Sequence, residues 1–302
     1  MGAVNAAWAS QFPKGQEHQM VDELVDFWLK VHPRDVYKEW PGGYAQGMFY
    51  EPSLFNTEPG EKYLKKRLTE VPKRFLAIGA TNMNTGTFKS FNNFHQNLQV
   101  EDLLEATMAS VAVPGLFPYR IIDEEPYFDG SVIKSLDIAS IINQCRFLNG
   151  NDDSKIVVDV IIASDRKVHE LEIEHYNALR VLMRTRDLMS FEKGCIALIR
   201  AKQLFPEVNF RYIVKPSKAI SLPDLPLNFK HKEIEKMIKL GRQDAKAVVA
   251  LGDGVSFDKA IEEAIELYGQ RFIEPRGRRS FTWKFGVENK EVKAEKEEII
   301  MI

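Results

Sequence analysis

An α/β fold is predicted for this chain of 302 residues by three features. Two apolar runs have the composition of buried strands: Phe75-Leu76-Ala77-Ile78, and the β-branched Ile156-Val157-Val158-Asp159-Val160-Ile161-Ile162. Around them lie stretches with apolar residues at helical spacing. Helix alternating with buried strand is the order of a sheet covered by helices on both faces. With 44% hydrophobic and 28% charged residues, the chain has an ordinary globular composition and can bury a substantial core.

The elements follow in order. A helix is predicted from Gly2 to about Gln11, and a second from about His18 to Val31 with Val21, Leu24, Val25, Trp28 and Leu29 on one face. Residues 33–60 carry Pro33, Pro41-Gly42-Gly43, Pro52 and Pro59-Gly60, so they read as loop with short helical pieces. Lys73 to Thr81 reads as a buried strand in a β-rich stretch that runs to residue 91. A helix over 101–110 and short strands near 118–122 and 126–128 come next. Helix is then expected over 136–148, strand over 155–162, a long helical region over about 172–204, strand over 208–214, and helices near 230–251 and 256–270. Residues 274–302 mix Arg276, Arg278, Arg279 and Lys284 with a Lys/Glu run and no core face. The folded domain is therefore expected to be 1–273, with 274–302 a charged, mobile tail. No internal repeat is visible.

Composition narrows the function. A formal net charge of −2 gives no basic field for nucleic acid or anionic membranes, so no nucleic-acid partner is expected. Cys145 and Cys195 sit in apolar, helical stretches and read as buried thiols rather than a disulfide or metal site. The histidines His18, His32, His95, His169, His175 and His231 lack metal-ligand spacing, and no phosphate-cradling Gly-x-x-x-x-Gly-Lys loop occurs. No metal and no cofactor is expected. No apolar run approaches the length of a membrane span, and the first residues lack the regions of a signal peptide, although a segment upstream could hold one. A cytoplasmic protein, or one peripheral at membranes, fits these facts.

Two segments carry chemistry. Met1-Gly2-Ala3-Val4-Asn5-Ala6-Ala7 is an ordinary small-residue helix start. It is equally how a helix opens after the serine of a Gly-x-Ser-x-Gly elbow, with Met1 at the variable position and Gly2 as the closing glycine that lets helix and strand approach. Residues 101–130 contain Ala109-Ser110, Pro114, Phe117, Pro118 and Asp129-Gly130 in one run. That run resembles the patatin-like phospholipases, in which a helix ending in Ala-Ser leads through a Pro turn and Phe-x-Pro to an Asp-Gly loop. Phe75 to Asn82 with Thr85-Gly86 is similar to the preceding strand and turn, and His231 to Ala245 resembles the helix that closes the domain. The resemblance spans roughly residues 2–250.

The resemblance implies an α/β patatin-like three-layer domain with a central, mainly parallel sheet whose first strand or strands lie outside this chain. It implies hydrolysis of fatty acyl esters of phospholipids or glycerides by a Ser–Asp dyad, without metal, acting on a lipid ester substrate or at a membrane surface. Asp129 takes the general-base role. Gly2 and Gly130 take the elbow and loop positions, and the serine is expected just before Met1. The chain as it stands is then a truncated and inactive copy, with the Gly-rich oxyanion loop also upstream. The alternative is a non-catalytic lipid-binding or interaction protein derived from the same fold. The family's Asn-x-Pro after the aspartate is Ser135-Leu136-Asp137 here, so Asp129 is expected to be less firmly tethered.

Other features have plainer readings. Gly42-Gly43 is turn chemistry rather than an oxyanion loop. Ser10 ends the first helix and reads as packing or surface. Phe49, Tyr50, Phe55, Phe91 and Phe94 either line an acyl-chain pocket, as such loops do in the family, or fill core. His169 and His175 read as exposed helix starts, and Arg276 to Arg279 as a solvated tail.

Overall fold

The computed structural model describes residues 2–94, 97–163, 178–218 and 229–268. The chain runs α1 (Gly2–Ser10), α2 (Glu17–Lys30), α3 (Pro33–Val36), α4 (Gly43–Phe49), α5 (Glu58–Lys65), β1 (Ala77–Asn82), β2 (Phe88–Asn92), α6 (Val100–Ser110), β3 (Arg120–Ile122) and β4 (Glu125–Asp129). It continues α7 (Ile138–Asn149), β5 (Val157–Ile161), α8 (Ala178–Leu204), β6 (Asn209–Val214), α9 (His231–Ala250) and α10 (Val255–Tyr268). Kind and order of element follow the sequence reading. The expected tail at 274–302, with Arg276 to Arg279, lies outside the described residues, as do His95, His169 and His175.

The strands fall into two groups, ordered β2-β1-β4-β3 and β5-β6. The α/β class holds, with helices packed on sheets. The pairing differs from a mainly parallel sheet: among the described strands only β5–β6 is parallel, and β2-β1-β4-β3 is antiparallel throughout. Short connections are the reason for two of its three pairs. β1–β2 and β3–β4 are hairpins, and a chain that turns back within a few residues can only pair antiparallel. At the β3–β4 corner Asp123 and Glu124 both take left-handed φ, 52° and 65°, as a type I′ turn requires. The β5–β6 pair is joined through α8, the crossover that parallel strands need.

Each group has its own core. Ile78 and Ala80 of β1, Phe91 of β2 and Tyr127 of β4 pack with Val4 and Ala7 of α1, Phe27 of α2 and the inner face of α6. Val160, Phe210 and Ile213 of β5–β6 pack with Ile142 of α7, Leu198 of α8 and Phe257 of α10, where Phe210 and Phe257 stack at 4.5 Å. α9 returns to α2 through Val31, Phe229 and Ile234, and a His231 ring nitrogen lies 2.9 Å from Leu29 O.

Faces account for the remaining differences. On α2 Leu24, Trp28 and Leu29 of the expected face pack against core clusters, Phe27 beside them is the fully buried residue, and Val21 is exposed. Phe75 precedes β1 and is exposed, edge-on to Phe94 at 5.2 Å, so burial in this segment begins at Leu76. β5 is buried on one face only: Val160 is covered, whereas Val157 and Ile161 are exposed, since α7, α8 and α10 belong to a single cluster. Cys145 and Cys195 are free and half-buried rather than fully buried, and partial burial pushes both thiols above the ordinary range. Among the described residues no helix is long and apolar enough to cross a membrane.

Candidate functional site

The site is assembled at the end of β4. Asp129 is the last residue of that strand and the N-cap of a 3-10 turn formed by Gly130–Val132. Three backbone-level contacts fix it. Its amide donates to Ala112 O at 3.0 Å, its carbonyl accepts from Thr81 Oγ1 at 3.1 Å, and its register partner on β1 is Ala80. The residue is only 8% exposed, and Thr81 is fully buried beneath it.

The register decides which way the carboxylate faces. Residues directly opposite in an antiparallel pair share a face of the sheet. Asp129 therefore shares the face of Ala80, which packs in one cluster with Val4 and Ala7 of α1. Asp129 and α1 belong to the same side of the sheet.

Gly130 is required where it stands. A Cβ there would lie 2.6 Å from Gly79 O, so the loop crosses β1 at a distance that only glycine permits. Gly2 is different. A Cβ on Gly2 would meet nothing within 4 Å, so the close helix–strand approach expected of a closing glycine is not made by the described residues.

Both carboxylate oxygens of Asp129 are engaged. Oδ1 accepts from Ser131 N–H at 2.9 Å, and Oδ2 accepts from Arg186 Nη2 at 3.0 Å. Arg186 comes from α8, and two further residues on that helix reach the same loop. Ser135 Oγ donates to Ser190 O at 3.2 Å, while Lys193 Nζ donates to Val132 O and, at 3.5 Å, to Ser131 O. Arg186, Ser190 and Lys193 are spaced by four and three residues, which places them on one face of the helix. The loop that follows Asp129 is thus tethered despite lacking Asn-x-Pro, which corrects the expectation of a loose aspartate. These α8 residues escaped the sequence reading. Their only local signal is polar residues at helical period, which any solvated helix face also shows.

Other candidates resolve simply. Ser10 is buried and its Oγ donates to Ala7 O at 2.7 Å, so it caps its own helix end. Gly43 has φ of +65° in the turn that opens α4, as turn chemistry requires. Phe55 and Phe91 are core residues, Phe94 is half-buried, and Phe49 and Tyr50 are exposed, so the five form no common pocket. Among the described residues no group of three or more His, Cys, Asp or Glu side chains could hold a metal ion.

The sequence model of the family described as Patatin-like phospholipase matches residues 1–142. That segment includes α1, the β2-β1-β4-β3 sheet and Asp129, and stops short of α8. No curated protein matches the chain.

Proposed function

We propose, on the premise that this chain belongs to the patatin-like phospholipase family through residues 1–142, that its fold serves hydrolysis of fatty acyl esters of phospholipids or glycerides by a Ser–Asp dyad. The observation that carries this reading is the seat of Asp129: a buried carboxylate, pinned through its backbone and sharing a sheet face with α1. In the reaction the serine oxygen bonds to the ester carbonyl carbon, and its proton passes to the Asp129 carboxylate and on to the departing alcohol. Water then cleaves the acyl-serine with the same carboxylate as base. The nucleophile in this reading is the residue directly ahead of Met1. Residues 1–302 alone then hold the base without its partner and do not turn over ester. The protein works at a lipid surface as a peripheral protein.

Arg186 favours a second reading, a non-catalytic lipid-binding protein on the same fold. A guanidinium 3.0 Å from Oδ2 competes with a serine hydroxyl for the carboxylate. A fluorophosphonate probe, which labels activated serines, separates the two. The 302-residue chain is expected to remain unlabelled, and the protein expressed from its native transcript to label at the elbow serine. Absence of labelling in both favours the non-catalytic protein. Labelling of a serine within 1–302 that vanishes in Asp129→Asn would overturn the elbow assignment.

A further inference from the structure

Residues 38–56 form a closed, braced loop. Its ends meet as an antiparallel bridge, Lys38 N–H to Asn56 O and Asn56 N–H to Lys38 O, both at 2.9 Å. Inside, Trp40 Nε1 donates to Ser53 O at 3.0 Å, Gly42 N–H to Gln46 Oε1 at 2.8 Å, and Gln46 Nε2 to Glu51 Oε1 at 2.6 Å. Gly47 rests directly on the chain below, where a Cβ would stand 2.5 Å from Leu54 O. Leu54 and Phe55 are themselves buried against Leu116, and their amides donate to Gly115 O and Leu116 O. One side of α4 is therefore fixed downward.

Large apolar groups beside that contact stand in solvent. Met48 is 67%, Phe49 73% and Tyr50 84% exposed, while Tyr44, 52% exposed, lies edge-on to Phe55 at 5.8 Å. Isolated exposed apolar residues are ordinary, but a cluster held out by a braced loop marks an interaction surface. Charge selects the occupant. Between Glu39 and Glu51 the sequence has no lysine, arginine or histidine, and Lys38, at the base of the loop, is paired with Glu58. Such a tip repels an anionic membrane or an acidic partner. Tyrosine and phenylalanine bury an apolar body, and tyrosine keeps a polar end in water, which is the chemistry of the headgroup boundary of an uncharged bilayer.

We propose that the tip formed by residues 44–50 is a membrane-docking surface that seats on zwitterionic lipid. The choice of lipid over a protein partner rests on the lipid-hydrolase reading above. Phosphatidylcholine vesicles and the full 302-residue chain test it by co-sedimentation. Wild type is expected to bind, and the double variant Phe49→Ser/Tyr50→Ser to bind about ten- to a hundredfold more weakly, the loss expected for one or more buried aromatic side chains. Phe147→Ser, which removes an equally exposed ring on α7, is expected to bind as wild type. Adding phosphatidylserine is expected not to strengthen binding. A Tyr50→Trp variant adds a second readout, a blue-shifted emission on binding, that does not depend on the double variant folding.

Absence of vesicle binding by wild type, unchanged binding by the double variant, or a dependence on anionic lipid would each overturn the proposal. So would self-association in lipid-free buffer that the double variant abolishes, since the tip would then contact a second copy. None of these readouts uses turnover or serine labelling, so failure here is distinguishable from failure of the Ser–Asp reading.

Discussion

Arg186 Nη2 donates to Asp129 Oδ2 at 3.0 Å, joining α8 to the end of β4 across 57 residues of sequence. The two side chains are unequally covered, 12% exposed for Asp129 and 36% for Arg186. The pair lies between an open surface ion pair, worth at most about 1 kcal/mol, and a buried one whose disruption costs about 3–5 kcal/mol. A double-mutant cycle with Asp129→Asn and Arg186→Met, read by urea unfolding, should give a coupling of about 1 kcal/mol. A coupling near zero would show that the pair does not hold the site in solution.

Lys193 should govern the mobility of the loop rather than global stability. Its ammonium bonds the carbonyls of Ser131 and Val132, so Lys193→Met frees the turn that orients Asp129. Amide hydrogen exchange at Ile133 and Lys134, whose N–H groups bond Gly130 O, should accelerate, while exchange in α6 stays unchanged. Uniform acceleration across the sheet would mean that Lys193 supports the fold as a whole.

Two glycine substitutions should act with opposite sign. Gly130→Ala drives a Cβ to within 2.6 Å of Gly79 O and should destabilise by about 1–3 kcal/mol, since backbone on both sides must move. Gly241→Ala, in the middle of α9 with nothing within 4 Å of the new methyl, should stabilise by up to about 1 kcal/mol through helix propensity. Thermal melts of the two variants decide this, and a Gly130→Ala variant as stable as the wild type would contradict the close approach at Gly130.

The start of α2 carries the clearest pH-dependent contact. Glu17 is held at a pKa of about 2, first by the Arg74 side chain at 2.8 Å and then by backbone N–H groups including that of Gly15. A carboxylate lowered in the folded state contributes its stabilisation fully above its ordinary value, and that contribution fades as pH falls towards 2. In a carboxyl NMR titration Glu17 should remain ionised where ordinary glutamates have protonated. Arg74→Met should move its midpoint upward, and an unmoved midpoint would exclude Arg74 as the main cause.

The fold was legible where local rules act. Helices and strands show their periods, and Asp129-Gly130 stands at a strand end where turn chemistry and a family motif coincide. Pairing direction was less legible, because 83–87 and Asp123-Glu124 are short returns whose consequence, antiparallel β1–β2 and β3–β4, outweighs the composition of the strands. The exposed face of β5 could not be read from Val157 and Ile161, whose β-branched side chains suit either side of a sheet. Nor could the clamp on the aspartate. Arg186, Ser190 and Lys193 meet residues 129–135 only through tertiary packing, and the helix carrying them lies outside the matched family segment. The aromatics of 49–55 likewise divide by geometry alone, Phe55 inward and Phe49 and Tyr50 outward, on either side of the contact at Gly47.

Phospholipid hydrolysis by the protein expressed from its native transcript, measured as fatty acid release with and without Asp129→Asn, tests the Ser–Asp account most directly. The account predicts turnover in the wild type, and a loss of about a hundredfold or more in the variant, as removal of a general base should give. It also predicts no release from residues 1–302 alone. Release that survives Asp129→Asn undiminished would contradict the assignment of Asp129 as the base.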